Sequence, residues 1–132
     1  MTTPRQTRVG TPELELEELL VHGDAAVIAT DLDGVITHWS VGAHRLYGWT
    51  SEEAIGRPFL ELMVAPGDWE TAEQNMLSIQ RTGVWEGEFD LHRKGGAAVL
   101  AYVRCALVKD DAGRPVGMLG LSMDGRRPSG RA

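Results

Sequence analysis

The sequence predicts an α+β domain: one five-stranded antiparallel sheet, short helices on one of its faces, and an N-terminal capping helix. Three observations carry this. β-rich runs lie at both ends of the chain, two before the helical stretch and three after it. The middle consists of short segments that start with helix caps or show helical spacing. Gly95-Gly96 and Asp110-Asp111-Ala112-Gly113 supply tight turns between the late runs. Such an order folds into a single layer only if the two terminal segments meet in the sheet centre.

Taken in order, residues 1–10 have no periodicity and are expected to be disordered. Thr11-Pro12 reads as a helix start, a Thr N-cap with Pro at the first helical position. Glu13, Glu15, Glu17 and Glu18 suit the positive end of the helix dipole, and Leu14, Leu16, Leu19, Leu20 and Val21 supply an apolar flank. His22-Gly23 ends this capping helix of residues 11–23. It is too short to be stable alone and must pack on the domain or on a partner.

Ala25 to Thr30 and Val35 to Trp39, joined by Asp31-Leu32-Asp33-Gly34, predict a hairpin. Ser40 caps a short helix running to Tyr47, with Ala43, Leu46 and Tyr47 inward. Thr50 and Glu53 form a capping box, and Gly56 ends that turn. Pro58 to Met63 is another short turn, followed by a break at Pro66-Gly67. Asp68 is the expected cap of the longest helix, 68–82, on which Trp69, Ala72, Met76 and Ile79 share a face. Strict alternation from Trp85 to His92 predicts a half-buried strand. Ala97 to Val108 is a long strand, apolar on both faces, and Val116 to Met123 is the last. The domain proper spans 24–124, and 125–132 is a flexible tail or linker.

The 132 residues suit one domain, and 42% hydrophobic with 24% charged residues is ordinary globular composition. A net charge of −6 argues against nucleic acid and against an anionic membrane as partner. Cys105 is the only cysteine, which excludes an intrachain disulfide and fits a reducing compartment. Met1 to Gly10 lacks the apolar centre of a signal peptide, and no apolar run approaches the roughly 20 residues that span a bilayer. A cytoplasmic location is expected.

Four stretches, AVIATDLDGVITHWS, AHRLYGWTSEEAIGRP, GVWEGEFDLHRKGG and VKDDAGRPVGMLGLSMD, stand in an order and at separations that resemble the PAS domain superfamily over about residues 24–124. The resemblance implies the PAS fold, a five-stranded antiparallel sheet. It also implies a sensory and dimerisation role, coupled to an effector domain outside this chain such as a kinase, phosphatase, cyclase or DNA-binding domain. Two departures stand out. Ser40 follows the strand-two Trp where these domains usually carry Asn, and Gly125-Arg126-Arg127-Pro128 replaces their usual acidic-Ile-Thr-Glu-Arg linker.

By the same resemblance, a small apolar ligand would lie between the sheet and the long helix. Met76, Ile79, Trp85, Phe89, Leu91, Ala101, Val103, Cys105, Met118, Gly120 and Ser122 would line its pocket. Gly87 would face it too, and Gly87, Ala101 and Gly120 are small enough to leave space. The same apolar stripe reads equally well as a plain core. Light-sensing members carry a reactive Cys after the Ile-Gly-Arg turn; here Ile55-Gly56-Arg57-Pro58-Phe59 has none. Haem-binding members take an axial His from the helical side, and helix 68–82 has no His. Flavin and haem are therefore disfavoured, and the purified protein is expected to be colourless.

No phosphate loop, nucleophile elbow, metal motif or catalytic constellation is present, and Asp31 with Asp33 reads as turn chemistry. The domain is read as a binding module, not an enzyme. Leu100, Tyr102, Arg104, Leu119 and Leu121 share the sheet face opposite the pocket, which is too apolar to stay wet. The leading helix, a second copy of the domain, or both would cover it; the resemblance implies dimerisation, so with Leu16 and Leu20 of the leading helix these residues form the expected homodimer face.

Overall fold

The structure is a computed structural model that describes residues 23–125. Residues 1–22, with Leu16 and Leu20 of the expected capping helix, and the tail from residue 126 onward lie outside the described residues.

Strands β1 (Ala26–Asp31), β2 (Ile36–Trp39), β3 (Val84–His92), β4 (Ala98–Lys109) and β5 (Pro115–Asp124) form one sheet in the order β2-β1-β5-β4-β3. Every neighbouring pair is antiparallel. The first and last strands meet in the centre, as one layer demands. Helices α1 (Val41–Tyr47), α2 (Ser51–Ala54), α3 (Phe59–Met63) and α4 (Trp69–Thr82) connect β2 to β3. The main core joins Ile28, Ile36, Trp39, Leu91 and Ala101 of the sheet to Ala43, Tyr47, Met63 and Ala72 of the helices. No helix among the described residues is long and apolar enough to cross a membrane.

Local chemistry sets most boundaries. Ser40 Oγ accepts from the N–H of Ala43, capping α1, and from the N–H of Val27 on β1 at 2.9 Å. Thr50 and Glu53 exchange both bonds of a capping box. Asp31 Oδ1 accepts from the N–H of Asp33 and of Val35, while Gly34 adopts φ +86°, closing the first hairpin. Asp110 Oδ1 binds the N–H of Ala112 and of Arg114 in the same way. The Asp31 carboxylate is thus engaged in turn geometry.

Asp68 departs from expectation. It stands at the start of α4, but its side chain caps nothing. It closes a 3₁₀ turn, Pro66–Asp68, at φ −105° and ψ 3°. A capping side chain needs an extended backbone, and this near-helical conformation denies it.

Candidate functional site

Antiparallel register sets the inner sheet face in rows. Ile28, Gly120, Cys105 and Trp85 lie in one row across β1, β5, β4 and β3. Ala26, Ser122, Val103 and Gly87 form the next, and Thr30 pairs with Met118 on the other side. Helix α4 faces these rows with Ala72, Met76 and Ile79, its i, i+4, i+7 stripe.

Between α4 and the sheet lie two adjoining cavities, each of about 80 Å³. Phe59, Met76, Ile79, Leu91, Val103 and Cys105 line both. The first cavity continues over Ile28, Thr30, Met118, Gly120 and Ser122. The second continues towards Val64, Ala72, Asn75, Trp85 and Phe89. Among the described residues, no charged side chain and no histidine lines either.

Of the residues expected from sequence, Met76, Ile79, Leu91, Val103, Cys105, Met118, Gly120 and Ser122 border the first cavity. Trp85 and Phe89 border the second. Two expectations are corrected. Ala101 borders neither cavity; it is fully buried in the row of Phe89 and Asp124, beyond the Val103–Ser122 row at the cavity end. Gly87 leaves no space either, because a Cβ there would stand 3.2 Å from the Trp85 indole, which lies over the position. Sequence reasoning missed Ile28, Thr30, Phe59, Val64, Ala72 and Asn75 as lining residues. For β1 the signal existed: Ala26, Ile28 and Thr30 alternate in a strand that belongs in the sheet centre.

The polar atoms of the site are few. Ser122 Oγ is 2.7 Å from the hydroxyl of buried Tyr47. Burial, opposed by that bond, holds the Tyr47 hydroxyl well above the ordinary phenol range. Burial pushes the Cys105 thiol up to about 12, so it is a neutral, unreactive group at physiological pH. Thr30 Oγ1 is buried and has no hydrogen-bond partner.

These features fit poorly with the cofactors of related folds. Each cavity is far below the roughly 300 Å³ at which cofactor pockets begin. The Arg57–Met63 segment presents no thiol, and Cys105 sits on β4 with its proton held. His38 and His44 are exposed. Among the described residues no group of three or more His, Cys, Asp or Glu is placed to hold a metal ion.

The opposite sheet face is divided. Ala25, Tyr102 and Met123 are buried there, with Leu121 packed on them. Tyr102, expected on a dimer face, is only 3% exposed and so is not available to a partner. Leu100, Arg104, Leu119 and Leu121 are half-buried. Beside them runs a groove of about 260 Å³ lined by Val84, Glu86, Arg104, Ala106 and Leu119.

Comparison with known proteins agrees with this geometry. The family model described as PAS fold matches residues 36–122. The structure is similar to the PAS domain of a protein from Colwellia psychrerythraea, with TM-score 0.72 and 33% identity over 83% of this chain and 95% of that one. It is also similar to the PAS domain of the quorum-sensing receptor RpfR of Cronobacter turicensis, in complex with C12:0 (TM-score 0.65, 17% identity, covering 77% and 94%). A light-oxygen-voltage domain studied with a flavin analogue gives TM-score 0.70 at 21% identity, covering 84% of each chain. A search of curated proteins finds no match. With the family model covering most of the sheet and every helix of the described residues, and a third of residues shared with a solved member, this chain belongs to the PAS fold family of sensory domains.

Proposed function

We propose that the domain is the sensory module of a bacterial-type signal-transduction regulator. It binds a small apolar ligand in the paired cavities and relays occupancy through homodimer contacts to an effector domain outside this chain. The observation that carries the reading is the pair of adjoining cavities under α4. Together they match in size the roughly 150 Å³ engineered cavity that takes up benzene, whereas well-packed cores leave few voids larger than a water. Met76 and Phe59 border both cavities, and Met is a side chain that readily re-packs. A longer guest could therefore merge the two. The RpfR domain, similar in fold, is in complex with C12:0 in one structure and with BDSF in another, which supports a small guest for a domain of this fold.

The test is direct. Titration of the ¹⁵N-labelled protein with benzene should give saturable amide shifts confined to α4 and the facing rows of β1, β4 and β5. Native mass spectrometry should show added mass if a cellular guest is retained. Absence of any saturable shift would leave the second reading, a dimerisation module that binds nothing small. The exposed apolar Val84 beside the outer groove is what favours that alternative.

A further inference from the structure

We propose that the guest of the paired cavities is an uncharged molecule with an apolar body and one hydrogen-bonding oxygen, and that the Thr30 hydroxyl holds that oxygen. This rests on the cavity reading above and names what the cavity selects.

The placement follows from strand geometry. Side chains alternate along β1, and Ala26 and Ile28 are buried on the inner face. Thr30, two residues further, shares that face, pairs with Met118 and borders the first cavity. Its Oγ1 is bonded to nothing and is closed even to a water-sized contact in the empty cavity, so a guest oxygen meets it only as the lining re-packs, although a hydroxyl is both donor and acceptor. A buried polar group without a partner is an expensive arrangement that a well-packed core avoids. A valine of the same shape would fill the position in a strand without that cost.

The rest of the lining decides what kind of partner fits. Ser122 borders the same cavity, but its Oγ is engaged by Tyr47, and it pairs with Ala26, four residues along from Thr30. At ~3.3 Å per residue that is about 13 Å away. Cys105 offers only a weak S–H donor, and Asn75 borders only the second cavity. A buried water needs two to four polar partners, and among the described side chains lining the first cavity Thr30 carries the one buried oxygen without a partner. A ligand with a single polar atom is satisfied by it and fills the apolar remainder. A carboxylate or ammonium would lie unpaired, because no charged side chain among the described residues borders either cavity.

The experiment titrates the full chain with benzene, phenol and benzoate, reading amide shifts, and repeats it on Thr30→Val and Thr30→Ser. Valine keeps shape and strand preference; serine keeps the hydroxyl. The phenol-to-benzene affinity ratio should fall about tenfold in Thr30→Val and hold in Thr30→Ser. Benzoate should not saturate. An unchanged ratio in Thr30→Val, an equal loss in Thr30→Ser, or benzoate binding as well as phenol overturns the proposal. Saturable benzene binding with any of these results overturns the Thr30 anchor alone and leaves the cavity reading intact. No saturation by any probe overturns both.

Discussion

Two small residues on the inner sheet face behave oppositely, and their surroundings say why. A Cβ on Gly120 would stand 3.4 Å from Cys105 Sγ and 3.7 Å from the Ile28 carbonyl oxygen, ordinary contact at the cavity wall. Gly120→Ala should therefore stabilise by roughly 0.4–1 kcal/mol, through the unfolded chain and added contact, while weakening benzene uptake. Ala101 is fully enclosed, so Ala101→Leu should cost roughly 1–3 kcal/mol by over-packing, with strain felt across the β3–β4–β5 row. Urea unfolding of both variants checks the pair; a destabilised Gly120→Ala would mean the wall is already close-packed. Cys105 and Tyr47 add a pH dependence. Both are neutral when protonated, and burial raises both in the folded protein. The unfolded chain releases the thiol proton near the ordinary value of 9.0, whereas the fold keeps it until about 12. Stability that is fully present below pH 9 is thus lost as pH rises towards 12, with Tyr47 extending the loss further. Equilibrium unfolding measured from pH 7 to 11 should show the decline, and Cys105→Ala should flatten its lower part.

Among the elements, α1 is tied to β1 through a single side chain that serves both. Ser40 Oγ accepts at 3.1 Å from the first turn of α1 and at 2.9 Å from the backbone of β1. Gly42 lets that helix approach, since a Cβ there would fall 2.1 Å from the Ala25 carbonyl oxygen. Ser40→Ala should cost about 1–2 kcal/mol, more than an isolated cap, because two N–H groups lose one acceptor. Chemical denaturation measures it; a loss below a few tenths of a kcal/mol would mean both groups find other partners. The usual Asn of the family is absent at this position, but Ser supplies the capping oxygen. Features of this local kind were legible in the chain: caps at Ser40 and Thr50, Asp-based turns, alternation in β3, and the long helix ending at Gly83. The residues that escaped reading depend on what lies across space. Trp85 covers Gly87 from two residues away on the same strand, and α3 brings Phe59 under α4. Asp68 lost its cap to a 3₁₀ turn that Pro66-Gly67 signals only as a break.

At the scale of the molecule, the proposed homodimer would use the face opposite the cavities. Tyr102 and Met123 are already buried, so the open part lies towards the start of β3 and the end of β4. Val84 is 64% exposed and Val108 is 38% exposed, beside half-buried Leu119. Edge pairing through β3 is the less favourable route, since Glu86, Glu88 and Asp90 alternate along that strand and like charges blunt an edge. A stable dimer buries roughly 800 Å² per partner. Five strands spaced about 4.8 Å apart give a face only some 20 Å wide, so it must be used nearly whole or be extended by another apolar surface. The leucine-rich sequence around Leu16 and Leu20, outside the described residues, is the proposed source of one. Sedimentation equilibrium on the full chain should give a dimer at micromolar concentration. Val84→Glu, at a site exposed enough to spare the fold, should weaken association at least tenfold by placing an unpaired carboxylate in the contact. Removal of residues 1–22 should weaken it as well. A full chain that stays monomeric at high micromolar concentration would exclude the dimer, and a dimer indifferent to Val84→Glu would move the contact off this end of the sheet. Should the dimer hold, cavity and interface stand on opposite faces of the same strands. Cys105 and Gly120 line the first cavity, while Arg104 and Leu119, their sequence neighbours, line the outer groove. A shift of β4 or β5 that accommodates a guest on one face would then move contacts on the other, and the proposed relay from occupancy to output would take that route.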